Sequence, residues 1–173
     1  RNGRWQEMFR PVNPDRVFSG SCLAESFARE YSVAHPDVQV GIIPCADGGT
    51  NLDQWQVGGL LFDHACALAS LASRTTTIAA VLWHQGESDC TSDRYPLYEE
   101  KFTVIMNAFR EKLNLHDVPF LLGGLGDFLS ENEYFNTGYY KEVNKALEKY
   151  ADKTPMTGFV SAEGLTSNPD LLH

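Results

Sequence analysis

The sequence predicts an α/β fold built on a parallel sheet. Three observations carry this expectation: short continuous apolar runs, helical stripes interleaved with them, and polar, glycine-rich stretches where the runs end. Apolar runs that are continuous, without polar alternation, suit strands covered on both faces. Helix followed by strand, repeated, implies right-handed crossovers with helices on both faces of the sheet.

The four runs are 38–43 (VQVGII), 78–83 (IAAVLW), 118–122 (VPFLL) and 158–162 (GFVSA). Between them lie four stripes at helical spacing. Leu23, Phe27 and Tyr31 form the first, with Ser21 as its expected cap. Leu61, Ala65, Leu68 and Ala72 form the second. Phe102, Ile105, Met106, Phe109 and Leu113 make the clearest stripe, and Tyr140, Val143, Leu147 and Tyr150 make the last. All four are expected to pack into the core.

Composition narrows the function classes. The chain has 173 residues, enough for one domain with a real core and too few for two comfortable ones. Its net charge of -9, from 14 Lys and Arg against 23 Asp and Glu, argues against a nucleic-acid partner, which needs clustered basic residues. No apolar run approaches the roughly 20 residues that span a bilayer, so no membrane partner is expected. The four cysteines are far apart and form no CxxC pair, which is the pattern of small core residues more than of a metal site. Nothing in the sequence bears on oligomeric state.

In a parallel sheet, ligands bind beyond the carboxyl ends of the strands. The chemistry is therefore sought just after each run. The first is followed by Pro44-Cys45-Ala46-Asp47-Gly48-Gly49-Thr50, whose paired glycines can turn sharply and bring a backbone N–H close to a ligand. Trp55, slightly further on, either stacks on a ligand ring or packs. The second run leads into His84-Gln85-Gly86-Glu87-Ser88-Asp89, the densest polar cluster in the chain. Gly86 lets Gln85 and Glu87 turn toward a common point. Gly123-Gly124-Leu125-Gly126-Asp127 follows the third run, and its spacing is that of a close-packed turn and not of a GxGxxG phosphate loop. After the fourth comes Asp170-Leu171-Leu172-His173, a carboxylate three residues before a histidine, as a general base and its orienting acid require. His35, His64 and His116 have no partner at ligand spacing and are expected to be structural or solvent-exposed.

PCADGGT, WHQGESD, GGLGDFL and the terminal DLLH, in this order, resemble the sialate O-acetylesterase and acetylxylan esterase family of SGNH hydrolases. The resemblance runs from about Asn2 to His173. It implies a three-layer α/β/α sandwich with a flavodoxin-like parallel sheet, and a serine esterase acting on acetylated carbohydrate without cofactor or metal. It maps one oxyanion donor onto the Gly48-Gly49 turn, Gly49 ahead of Gly48, and another onto the Gln85 amide. His173 would be the base, with either Asp170 or Glu87 orienting it. The family's nucleophile lies in a Gly-Gln-Ser-Asn motif after its first strand, and no such motif occurs here. The nucleophile strand is therefore expected before Arg1 and a final helix after His173. Ser21 and Ser88 lack the elbow pattern. A catalytically inactive carbohydrate-binding relative is the alternative implied by the same resemblance.

Overall fold

The computed structural model describes residues 3–17, 19–20 and 22–172. Its regular elements are α1 (Leu23–Ala34), α2 (Leu60–Ala72), β1 (Val81–Trp83), α3 (Tyr95–Leu113), β2 (Phe120–Gly123), α4 (Tyr140–Lys153) and β3 (Thr157–Val160). Short 3₁₀ turns at Glu87–Asp89 and Asp127–Glu131 directly follow β1 and β2. The α/β class and the parallel sheet expected from the sequence are present.

The strands run in the order β1-β2-β3, all parallel, with Trp83 opposite Leu122 and Leu122 opposite Phe159. Right-handed crossovers between neighbouring strands put α3 and α4 on one face. The packing follows: Phe102 of α3 meets Trp83 edge-on at 5.9 Å and Tyr150 of α4 at 5.1 Å. Phe62 of α2 packs on Phe109 of α3 at 4.4 Å, so α2 flanks this layer. The buried core is drawn from these helices and from Trp83, Phe120 and Leu122. On the opposite face Leu82 and Leu121 are half-buried and Val160 is exposed.

The stripes of α3 and α4 are buried as expected, with Phe102, Met106, Val143 and Leu147 fully enclosed. That of α2 is shifted, since Phe62 and Cys66 are buried while Leu61 and Leu68 are only half-buried. Two expectations fail. The run 38–43 forms no strand, because no described segment offers it a ladder of hydrogen bonds; Val38 is 52% exposed. A run of β-branched residues becomes a strand only when a partner lies alongside. The α1 stripe is not core either, for no residue of that helix is buried and Leu23 is 49% exposed. Phe27 and Tyr31 stack on each other instead, at 5.9 Å. The cap of α1 is Cys22; Ser21 lies outside the described residues.

Below the sheet, Arg110 performs a structural task that its charge conceals. It is 6% exposed, and its guanidinium donates to the Leu115, Val118 and Met156 carbonyls and the Thr157 hydroxyl, all at 2.8–3.1 Å. It also lies 3.9 Å over the Phe120 ring. One side chain of α3 thus ties together the segments that enter β2 and β3.

Candidate active site

A parallel sheet delivers the ends of all its strands to one edge, so the stretches after β1, β2 and β3 share that edge. The stretch after β1 turns immediately. Gly86 makes the turn with φ +155°, and a Cβ there would come within 2.8 Å of Val143 Cγ1 and 3.0 Å of a Leu125 methyl. Only glycine lets the chain pass so close to α4 and to the loop after β2.

Gln85 is buried and held at its backbone carbonyl and at both polar atoms of its side chain. The hydroxyl of Tyr98, fully buried on α3, donates to the Gln85 carbonyl at 3.0 Å and lies 3.3 Å from Oε1. Gln85 Nε2 donates to the Thr50 carbonyl at 3.0 Å and to Asp89 Oδ2 at 2.6 Å. Both of its amide hydrogens are therefore engaged. Asp89 also accepts the Leu52 N–H, at 3.0 Å. Ser88 Oγ adds a bond to the Gly49 carbonyl at 3.1 Å. Through these contacts the loop 48–52 is bound to the loop after β1, which places Gly48, Gly49, Gln85, Gly86 and Glu87 in one neighbourhood.

The other side of the glycine turn is clasped by Asn13, Asp15, Arg16 and Ser19. Asp15 Oδ2 accepts the Gly48 N–H at 2.6 Å, and Asn13 Nδ2 and Ser19 Oγ donate to Oδ1 at 2.8 and 2.9 Å. Partial burial works to push the Asp15 carboxyl up, but the Gly48 N–H and the Ser19 hydroxyl outweigh it and hold the carboxyl below its ordinary range. Arg16 donates to the Gly48 carbonyl at 2.7 Å and pairs with Asp47. Every backbone polar group from Gly48 to Thr50 is thus held except two. The N–H groups of Gly49 and Thr50 have no partner among the described residues. Gly49 has φ +74° and open space around it.

Glu87 faces His84, with 3.6 Å between Oε1 and Nε2, while His84 Nδ1 lies 3.3 Å from the Gly123 carbonyl. A Cβ on Gly123 would meet that ring nitrogen at 2.8 Å, so this glycine makes room for the imidazole. Asp170 is reached from another direction. Asn132, at the end of the turn after β2, donates to the Asp170 and Leu171 carbonyls at 3.2 and 3.0 Å. Asp170 Oδ1 accepts the Leu172 N–H at 3.0 Å. His173 lies outside the described residues.

Trp55 packs. It is 6% exposed, donates to Thr50 Oγ1 at 2.9 Å and meets Trp83 edge-on, so no ring face is offered to a ligand. Sequence reasoning gave no separate role to Asp89, Asp15, Asn132 or Asn144. Asn144, on α4, pins the glycine-rich loop by bonding both the N–H and the carbonyl of Leu125, at 2.8 and 2.9 Å. Short-range spacing carries no signal for such contacts. Among the described residues no group of three or more His, Cys, Asp or Glu is placed to hold a metal ion, and no helix is long and apolar enough to cross a membrane. The Cys45 thiol is pushed up to about 11, by burial first and by Cys66 second.

Asp89 invites a direct test. It is 3% exposed, and burial pushes its carboxyl up, with the Gln85 and Leu52 donors pulling partly back. The fold therefore favours the protonated acid, and Asp89 costs stability progressively as pH rises from its unfolded range near ~4 through its folded value. Asp89→Ala strands two buried donors and should cost about 1–3 kcal/mol. Asp89→Asn keeps an acceptor of the same size, and its deficit in urea melts should be smaller at pH 7 than at pH 4. An equal or larger deficit at pH 7 would contradict the burial argument.

A family model described as carbohydrate esterase, sialic acid-specific acetylesterase, matches residues 1–173. The chain is 26% identical over 177 residues to the probable carbohydrate esterase At4g34215 of Arabidopsis thaliana, covering 98% of this chain and 64% of that protein. It thus spans somewhat under two thirds of the curated relative's length. The crystal structure of the Arabidopsis protein superposes with a TM-score of 0.85 at 27% identity, covering 98% of this chain and 69% of that one. XAC1771, a carbohydrate acetylesterase from Xanthomonas citri, shares the fold at 19% identity, with a TM-score of 0.63 over 84% of this chain and 36% of its own.

Proposed function

Because the chain belongs to the carbohydrate esterase family of sialic acid-specific acetylesterases, we propose that it forms the greater part of a serine esterase that removes O-acetyl groups from sugars. The observation that supports this most is the glycine turn, clamped from both sides yet leaving the Gly49 N–H without a partner among the described residues. A preorganised donor of this kind is what a tetrahedral oxyanion needs, and one is worth roughly 2.7–4 kcal/mol of transition-state stabilisation.

In this proposal the nucleophile is a serine on a strand outside the 173 residues. Ser88, beside the turn, already gives its proton to the Gly49 carbonyl. The serine Oγ attacks the acetyl carbon as His173 takes its proton. The tetrahedral oxyanion collapses, the C–O bond to the sugar breaks, and His173 returns the proton to the departing hydroxyl. Water then repeats the sequence on the acetyl-enzyme and releases acetate. Of the two turn glycines, Gly49 is the donor, since the Gly48 N–H is committed to Asp15. Gln85 can join only by exchanging or sharing one of its two amide bonds, and the one to Thr50 borders the turn. Gly86 serves by letting the loop pass under α4.

The test is hydrolysis of a panel of acetylated mono- and oligosaccharides by the full-length protein, followed as acetate release. Turnover that disappears in His173→Ala is expected. Sugar binding without acetate release would make the protein an inactive relative of the family.

A further inference from the structure

Beside the glycine turn lies an open groove of about 490 Å³, bordered by Arg16, Asp47, Thr50, Asp53, Gln54 and Gln56 together with Leu60 and Leu61. It shares Asp47 and Thr50 with the turn, so it is positioned to take what is attached to the acetyl group. Resting on the esterase reading, we propose that this groove binds the sugar of the ester, and that it selects neutral sugars over carboxylate-bearing ones.

The argument is one of charge and commitment. A carboxylated sugar requires a cation with donors to spare. Arg16 is the single basic residue lining the groove among the described residues, and it is spent on Asp47, the Gly48 carbonyl and the Asp15 carbonyl. The nearby Lys101 is paired with Asp53. The two carboxylates at the wall, Asp47 and Asp53, hold both of these cations, in a chain of net charge -9. A carboxylate-bearing ligand would find no uncommitted cation there among the described residues, and would have to displace an existing ion pair to gain one.

What the groove does offer is neutral. The Gln56 amide has no partner among the described residues, and Gln54 uses only Oε1, accepting the Asn51 N–H, which leaves its NH₂ group available. Leu60 is 82% exposed and gives an apolar surface. A pyranose presents hydroxyls at its rim and C–H groups on its face, and primary amides beside an exposed leucine match both.

The experiment uses the full-length protein and two substrates, mono-O-acetylated xylobiose and O-acetylated N-acetylneuraminic acid. The expected kcat/KM is at least tenfold higher on xylobiose. Gln56→Ala should raise KM on that substrate several-fold with little change in kcat, and Gln56→Arg, which installs an uncommitted cation, should narrow the preference. Equal or reversed preference, or a KM unmoved in Gln56→Ala, overturns the proposal while leaving the esterase intact. A second readout needs no turnover: NMR of the side-chain amides during titration with deacetylated xylobiose and with N-acetylneuraminic acid. Shifts of the Gln54 and Gln56 amides with xylobiose support the groove even if acetate release fails. Shifts with N-acetylneuraminic acid alone, or with neither sugar, overturn it.

Discussion

Asp170→Asn in the full-length protein is expected to lower turnover on an acetyl ester by on the order of 10⁴-fold, the cost of losing the acid that orients a triad histidine. Glu87→Gln should cost far less. The two carboxylates have different surroundings. Asp170 sits in a turn whose geometry is fixed by the Leu172 N–H on its own carboxylate and by Asn132 on the Asp170 and Leu171 carbonyls. Three residues of separation keep it near His173 whatever neighbouring loops do. Glu87 faces the His84 ring instead. If both acids share the task, each single change will be milder and the double change far worse than either. Near-normal turnover in Asp170→Asn with collapse in Glu87→Gln would assign the role to Glu87. Thermal melts of each variant separate loss of chemistry from loss of fold.

The largest effect on stability is expected at Arg110. Arg110→Ala removes a side chain that holds three carbonyls and a hydroxyl and covers the Phe120 ring. The Leu115 and Met156 carbonyls keep the Val118 and Phe120 N–H groups, but the Val118 carbonyl and the Thr157 hydroxyl lose their donor, each at about 1–3 kcal/mol, and the cavity over Phe120 adds to it. Partial relief by water brings a reasonable total to roughly 3–5 kcal/mol, or a fall in Tm on the order of 10 °C for a chain of this size. Arg110→Lys should recover little, because a point ammonium cannot span β2 and β3 as the planar fork does. A drop of only a few degrees in Arg110→Ala would show that the carbonyls are satisfied by other means.

The class of the fold was legible because apolar runs and helical stripes are local patterns. α3 and α4 appear where Phe102 to Leu113 and Tyr140 to Tyr150 mark them, and β1, β2 and β3 fall within two residues of the expected carboxyl ends. The glycine turn and the Gln-Gly-Glu stretch also stood out, since an apolar run that ends abruptly on polar residues and glycine is visible one residue at a time, whether or not the run becomes a strand. The run 38–43 and the α1 stripe misled for one shared reason. Apolarity states that a segment needs a partner but not that a described segment supplies it.

What the sequence by itself determined is therefore the kind of sheet, its direction and the loops at its chemical edge. Tertiary structure alone decided which polar group faces which. Arg110 reads as the solvent side of a helix and is buried beneath the sheet; Asp89 reads as loop and is the buried acceptor that holds Gln85. Gly48 and Gly49 are identical neighbours in sequence, yet Asp15, 33 residues before Gly48, takes one N–H and leaves the other without a partner among the described residues. Such assignments depend on hydrogen bonds between segments far apart in the chain. No local preference encodes them, because the free energy of each bond exists only after the fold has brought donor and acceptor to within 3 Å or so.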